Sequence, residues 1–266
     1  MELSINHITT PKLKWRDFLR LSSDLGAKGV EFRNDLSVPL FSDESPELVR
    51  TTVKESGLKI FCLSQIYPFN VFSDKLEHEI RKLIKIAKMC GAEAISLIPS
   101  NDGNIQSYSQ RQTDLRTALR KIKPLLENGD LLAMVEPLGF ESSSLRTKEE
   151  AVNAIEAVNA ASTFKIIHDT FHHHLAGETE FFSENTGIVH VSGLVDKSLS
   201  VSQMEDKHRI LVNEKDLLGN VHQINELLGL GYSGPISLET FSPEVHAAKD
   251  IRSLIENSIN FIKQNI

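Results

Sequence analysis

Residues 164–192 read FKIIHDTFHHHLAGETEFFSENTGIVHVS, and this stretch decides the predicted fold. It contains two short runs rich in β-branched residues, Phe164 to Asp169 and Gly187 to Ser192, separated by a more polar segment. Short β-branched runs bounded by polar residues and glycine are typical of strands. Both runs end in ionisable side chains, His168-Asp169 and His190, and the same pattern recurs along the chain.

The alternation of strand-like and helix-like segments extends from this stretch to both ends of the chain. The strand candidates are Leu3 to Thr9, Gly29 to Arg33, Leu58 to Gln65, Ala94 to Pro99, Leu131 to Pro137, Phe164 to Asp169, Gly187 to Ser192 and Pro235 to Thr240. Helical periodicity is clearest in Lys75 to Cys90, Thr113 to Glu127, Lys148 to Asn159 and Glu244 to Lys263. Such alternation predicts a parallel sheet with crossover helices. Eight units in 266 residues give about 33 residues each, close to the roughly 30 of one strand–helix unit. We therefore predict an α/β fold, a (β/α)8 TIM barrel that forms a single domain over residues 1–266.

Glycines and long loops indicate which end of the barrel is which. Glycines that follow helical segments predict left-handed caps at the amino-terminal end of the strands, as in Leu25-Gly26, Ser56-Gly57, Cys90-Gly91 and Gly229-Leu230-Gly231. Two long polar stretches, Asn101 to Thr113 and Gly193 to Arg209, instead follow strand candidates. Long loops at the carboxyl end of barrel strands favour lids over a site.

Composition excludes several classes of function. The net charge of −7 argues against a nucleic-acid partner, because phosphate binding depends on clustered Lys and Arg. The chain has no apolar run of membrane-spanning length and no signal-like amino terminus, so we expect a cytoplasmic protein with no membrane partner. Two cysteines, Cys62 and Cys90, without a disulfide framework indicate reduced thiols. The oligomeric state stays open, and a homo-oligomer is compatible with the sequence.

Four strand candidates end in residues that could bind a metal. Val135 leads to Glu136, Ile167 leads to His168-Asp169, Val189 leads to His190, and Leu238 leads to Glu239. Barrel strands deliver such side chains into a common mouth, where three carboxylates would repel one another and a divalent cation would relieve the repulsion. Oxygen-rich ligation with one nitrogen predicts one divalent ion and allows Mn, Mg, Co, Fe or Zn.

Each of these residues also has a purely structural interpretation. Asp169 could cap the next helix, and His190 could be a satisfied core histidine. Of the three consecutive histidines after Asp169, one or two at most can face a site from a short turn. We select His172 as a hydrogen-bond donor to substrate, although such a run could also be a surface metal scavenger or chance.

At these residues the sequence resembles the xylose isomerase-like barrel superfamily, and most closely its inosose isomerase (2-keto-myo-inositol isomerase) branch. The resemblance spans nearly the whole chain. It is strongest in four segments, HDTFHHHLAG (168–177), EPLG (136–139), IVHV (188–191) and SLETFSPE (237–244).

The resemblance implies a role for each of the selected residues. Glu136, Asp169, His190 and Glu239 would be the metal ligands, with Glu136 and Glu239 also acting as the acid/base pair. His172, Arg209 and Arg33 would contact substrate. Such isomerases carry a Pro-Gly-x-Gly-like turn after the arginine, whereas Arg209 is followed by Ile210-Leu211-Val212-Asn213-Glu214, so we expect a different local backbone there.

The expected activity is a metal-dependent isomerase or epimerase of a small polyhydroxylated ketone, an inosose or a ketose. It would act by proton transfer through an enediolate in carbohydrate metabolism, such as inositol catabolism. A dehydratase or hydrolase of a related polyol is an alternative, as is a non-catalytic sugar-binding barrel. A phosphodiesterase like the apurinic endonucleases would need further ligands and tolerance of DNA charge, and the acidic composition argues against it.

Overall fold

The computed structural model describes residues 2–104 and 106–266. Within these ranges, eight parallel strands close into a barrel in chain order, with the first strand paired to the last. The strands are β1 (Glu2–Asn6), β2 (Gly29–Arg33), β3 (Lys59–Ile66), β4 (Ala94–Leu97), β5 (Leu132–Val135), β6 (Phe164–Asp169), β7 (Thr186–Val191) and β8 (Pro235–Leu238). The predicted (β/α)8 barrel is confirmed.

Helices follow the strands and form the outer layer. They are α1 (Trp15–Asp24), α2 (Pro46–Glu55), α3 (Asp74–Cys90), α4 (Tyr108–Glu127), α5 (Lys148–Ala157), α6 (Thr170–Ala176), α7 (Asn220–Gly229), α8 (Pro243–His246) and α9 (Ile251–Asn265). Helix α3 shows how the sequence specifies them. The Ser73 side chain caps its first turn by accepting from the Leu76 amide, and Gly91 ends it with φ +78°.

The alternation of side chains along each strand divides the core into two parts. Every second residue points into the barrel, where Phe61, Cys62, Ala94, Met134, Ile167 and Ile188 form a compact cluster. The remaining strand residues pack outward against the helices in the larger hydrophobic core. Cys62 and Cys90 are free and buried. In the described ranges, no helix is both long and apolar enough to cross a membrane.

Several boundaries differ from the predictions because side-chain caps begin or end an element. The predicted helix Glu244 to Lys263 is wrong as a single element: α8 ends at His246, and Asp250 caps the separate helix α9. The predicted loop Asn101 to Thr113 is wrong in its second half, because Ser107 caps α4; Ile105 of this loop lies outside the described residues.

The other predicted loop follows β7, and most of the glycine caps lie where the sequence predicts them. The stretch from Gly193 to Arg209 contains two short 3-10 turns, Val201–Gln203 and Asp206–His208. The left-handed caps are confirmed at Gly26, Gly57, Gly91 and Gly231, whereas Gly229 is the last residue of α7.

Candidate metal centre and cavity at the barrel mouth

Glu136, Asp169, His190 and Glu239 meet at the carboxyl end of the barrel. Asp169 and His190 pair in register at the ends of β6 and β7. Glu136 and Glu239 lie one residue beyond β5 and β8. Their amides bond to the neighbouring strands' carbonyls, Glu136 N to Leu97 O at 3.1 Å and Glu239 N to Val191 O at 3.0 Å. The backbone of all four residues is thus held by the sheet.

The four side chains approach a common point. One potential ligand atom from each lies within 4.8 Å of the others, and all four residues are buried. His190 Nδ1 lies 3.3 Å from Glu136 Oε1, 3.2 Å from Glu239 Oε2 and 4.0 Å from Asp169 Oδ2. Three carboxylates and one imidazole therefore form one group, as the strand-end pattern predicted.

Asp169 is both a helix cap and a member of this group. Its Oδ1 accepts from the amides of Phe171 and His172, at 2.8 and 3.2 Å, and so caps α6. Its Oδ2 faces the other carboxylates and accepts from Arg209 Nη2 at 2.5 Å. The structural and functional interpretations of this residue are compatible, because the two oxygens point in different directions.

Two buried arginines contact the carboxylates from the side of the cavity. Arg209 Nη2 also donates to Glu239 Oε2 at 2.9 Å, and Arg33 Nη1 donates to Glu239 Oε1 at 3.0 Å. Arg209 is placed by an antiparallel bridge in which Gly193 and Ile210 exchange hydrogen bonds of 2.7 and 2.8 Å. This bridge fixes the backbone path of the segment that carries Arg209.

The charges at the mouth fit a divalent cation. Four buried carboxylates face two buried guanidinium groups, which leaves two negative charges uncompensated when the imidazole is neutral. These residues are Glu31, Glu136, Asp169 and Glu239 on one side and Arg33 and Arg209 on the other. Since unpaired buried charge is costly, a 2+ ion bound to oxygen and imidazole donors would balance the site.

The two glutamates have different electrostatic surroundings. Burial and the nearby charge of Glu239 raise the pKa of Glu136. Burial also acts to raise the pKa of Glu239, but His190, Arg209 and Arg33 outweigh it and hold that pKa well below its usual range. Burial acts to lower the pKa of His190, yet Glu239 and Glu31 raise it well above its usual value. The carboxylates around His190 thus stabilise its protonated form.

A cavity of about 310 Å³ opens above these groups, and its walls include all three residues selected as substrate contacts, His172, Arg209 and Arg33. His172 is buried, and its Nδ1 has no hydrogen-bond partner among the described residues. Sequence reasoning missed Tyr67 and Asn101, which also line the cavity from loops after β3 and β4.

The other histidines near Asp169 point away from the cavity. His168 lies on the outer face of β6, stacks on Phe181 and contacts Gln223 Oε1 at 2.9 Å through Nε2. His173 contacts Lys148 Nζ through Nδ1 on the same outer side. Of the three consecutive histidines, His172 is the one that lines the cavity.

Sequence reasoning also missed Glu31, in the middle of β2. Its exposed fraction is 0%, and its Oε2 lies 3.1 Å from His190 Nε2, the ring nitrogen opposite the carboxylate cluster. Ser237 Oγ donates to Glu31 Oε1 at 2.5 Å. A charged residue inside the otherwise apolar segment Gly29–Phe32 was the available signal.

The chain belongs to the xylose isomerase-like TIM barrel family, whose sequence pattern matches residues 19–264. A xylose isomerase domain-containing protein from Salmonella typhimurium shares 32% identity at a TM-score of 0.90, covering 99% of this chain and 96% of that one. No protein with a curated description matches the sequence.

More distant solved structures share the fold. The IOLI protein, solved with a bound zinc atom, has 18% identity and a TM-score of 0.88, covering 100% of this chain and 99% of that one. The 3-keto-D-glucoside 4-epimerase of E. coli has 15% identity and a TM-score of 0.74, covering 99% of each chain. At these identities the likeness concerns the architecture alone.

Proposed function

We propose that this protein is a divalent-metal-dependent isomerase or epimerase of a small, uncharged polyhydroxylated ketone, such as an inosose or a ketose. The observation that carries the proposal is the convergence of Glu136, Asp169, His190 and Glu239 within 4.8 Å beneath a cavity of about 310 Å³. The shared architecture of a 4-epimerase and of a protein that binds zinc supports it.

Each residue of the mouth has a role in the proposed reaction. Glu136, Asp169, His190 and Glu239 would hold the ion, which would supply Lewis-acid stabilisation of a developing oxyanion. One of Glu136 and Glu239 takes a proton from the carbon next to the substrate carbonyl, which gives an enediolate. The other returns a proton to the neighbouring carbon in an isomerisation, or to the opposite face of the same carbon in an epimerisation. The side chains of His172, Arg209 and Arg33 hold substrate oxygens from the cavity wall.

The pairing of the arginines favours an uncharged substrate. Arg33 makes a two-pronged contact with Asp35, at 2.9 and 2.7 Å, in addition to its bond with Glu239. Arg209 Nη1 likewise donates to Asp206 at 3.1 Å. Since both guanidinium groups already face carboxylates, an anionic substrate would have to displace one. A cavity of about 310 Å³ lies at the lower end of the roughly 300–1,000 Å³ of ligand pockets, which favours a single sugar or cyclitol ring.

The test combines metal analysis with deuterium exchange. The purified holoenzyme is incubated in D₂O with a panel of inososes and ketoses, and NMR follows exchange and product formation. We expect Glu136→Gln and Glu239→Gln each to lower exchange by about 10²- to 10⁴-fold, the contribution of a general acid or base. Glu244→Gln is the control, because Glu244 is exposed on the nearby helix α8.

The products separate the alternatives. Loss of water from a substrate would indicate a dehydratase, and stoichiometric metal without exchange into any compound would favour a sugar-binding barrel. If both glutamine variants still bound metal and exchanged protons at nearly the normal rate, the acid/base assignment would be wrong.

A further inference from the structure

Glu31 is a buried carboxylate on the inner face of the barrel, one layer below the mouth. It precedes Arg33 by two residues on β2, so both side chains point inward. Ser237 lies on β8, two residues before Glu239, and it pairs in register with His190. Glu31 and Ser237 therefore lie directly beneath the carboxylate cluster.

The contacts of Glu31 determine which nitrogen of His190 carries a proton. Glu31 Oε2 lies 3.1 Å from Nε2, and a carboxylate oxygen accepts, so Nε2–H is the donor in this pair. In a neutral imidazole this leaves the lone pair on Nδ1, the atom that lies 3.2 and 3.3 Å from Glu239 and Glu136. Nδ1 is therefore the atom presented to the carboxylate cluster.

We propose that Glu31, oriented by Ser237, is a positioning residue that fixes His190 as an Nδ1 metal ligand and strengthens its binding. This inference rests on the metal site of the proposed function but not on the reaction catalysed there. Ser237 bonds to Oε1 of Glu31 and leaves Oε2 for the imidazole, so each carboxylate oxygen has one defined partner. A carboxylate behind a ligating histidine holds the ring orientation and makes the ligating nitrogen more basic.

The test measures Zn²⁺ affinity by competition with a chelator. We expect Glu31→Gln to weaken Zn²⁺ binding by about 10- to 100-fold, as is typical for the supporting partner of a metal-ligating histidine. Ser237→Ala should weaken it less but measurably, because Glu31 then loses its orienting bond. Ser4→Ala is the matched control: Ser4 is equally buried, pairs with Ser237 in register, and its Oγ has no hydrogen-bond partner among the described residues.

A second measurement observes the tautomer directly. In the Zn²⁺-loaded wild type, the ¹⁵N NMR signals of His190 should show a protonated Nε2 and a metal-bound Nδ1. A metal-bound Nε2 would overturn the inference.

The affinity outcomes are also decisive. A folded Glu31→Gln variant that binds Zn²⁺ as tightly as the wild type would overturn the inference and leave the proposed function intact. If Glu31→Gln does not fold, equal affinities for Ser237→Ala and Ser4→Ala would overturn it instead. A wild type that binds no divalent ion would overturn both the inference and the proposed function.

Discussion

Two adjacent residues of β6, His168 and Asp169, belong to two very different polar clusters. Asp169 points into the barrel and joins the carboxylates around His190. His168 points outward, between β6 and the helices, and packs beside His173 and Phe181. Both clusters are buried and both contain histidine, so burial and residue type do not distinguish them.

The two faces of β6 shift the pKa of their histidines in opposite directions. On the inner face, carboxylates raise the pKa of His190 against the effect of burial. On the outer face, burial and then Lys148 lower the pKa of His168 well below its usual value and that of His173 to about 3. The outer histidines are thus neutral packing residues, whereas the inner histidine is surrounded by the carboxylates that a cation requires.

The largest expected effect of this difference is on metal affinity. Asp169→Asn should weaken Zn²⁺ binding by more than about 100-fold, since even a supporting residue contributes about 10- to 100-fold. Its amide oxygen can still accept from Phe171 and His172, so we expect α6 to remain capped. His168→Gln, one residue away, should leave the affinity unchanged in the same chelator competition. Equal losses in the two variants would mean that the inner and outer faces are not functionally distinct.

A second, smaller effect, on stability, is expected when Gly139 is substituted. Gly139 packs against α6, the helix that lies between the inner and outer clusters. Helix α6 carries His172 to the cavity and His173 to the outer face. A Cβ on Gly139 would come within 2.2 Å of the His172 carbonyl oxygen and 2.8 Å of the Ala176 nitrogen, both backbone atoms. Gly139→Ala should therefore lower the free energy of unfolding by about 1–3 kcal/mol, the usual cost of overpacking. It should also raise KM by shifting His172.

Gly229→Ala is the control for this prediction. A Cβ there would meet nothing within 4 Å, at the last residue of α7. We expect a neutral effect or a gain of up to about 1 kcal/mol from better helix propensity. Urea unfolding of both variants provides the measurement. If Gly139→Ala were as stable as Gly229→Ala, α6 would tolerate a Cβ at position 139, and the prediction would be wrong.

The same contrast explains how much the sequence could predict. The strands were predictable because each apolar run is short and ends in a polar residue. The residues Glu136, Asp169, His190 and Glu239 were selected for that reason. Glu31 was missed because it lies inside such a run, whereas the candidate residues were chosen only at strand ends.

Other features depend on long-range packing that no local pattern encodes. Tyr67 and Asn101 reach the cavity from loops whose paths are set by contacts with distant segments, such as the hydrogen bond that Ser142 Oγ donates to Asn101 Oδ1. The position of Arg209 depends on the bridge between Gly193 and Ile210. His168 and Asp169 are equally polar in the sequence, and only the strand direction assigns them to opposite faces.

The smallest expected effect is the pH dependence of stability on the outer face. His173 has its pKa lowered to about 3 in the folded protein, against about 6.5 in an unfolded chain. Between these values the unfolded state binds a proton that the folded state does not, so stability is full above about pH 6.5 and falls as the pH is lowered. From pH 7.5 to 5.5, His173 should account for a loss of about 1.4 kcal/mol.

Urea unfolding at the two pH values, with chelator present, tests this prediction. His173→Gln should lose about 1.4 kcal/mol less than the wild type between pH 7.5 and 5.5, because the titrating group is gone. His78→Gln, at an exposed position on α3, should behave as the wild type does. Contributions from His190 and the carboxylates cancel in this comparison, since every variant retains them. If His173→Gln showed the full wild-type loss, the outer cluster would not hold its histidine neutral, and the proposed division of charge between the two faces of β6 would be wrong.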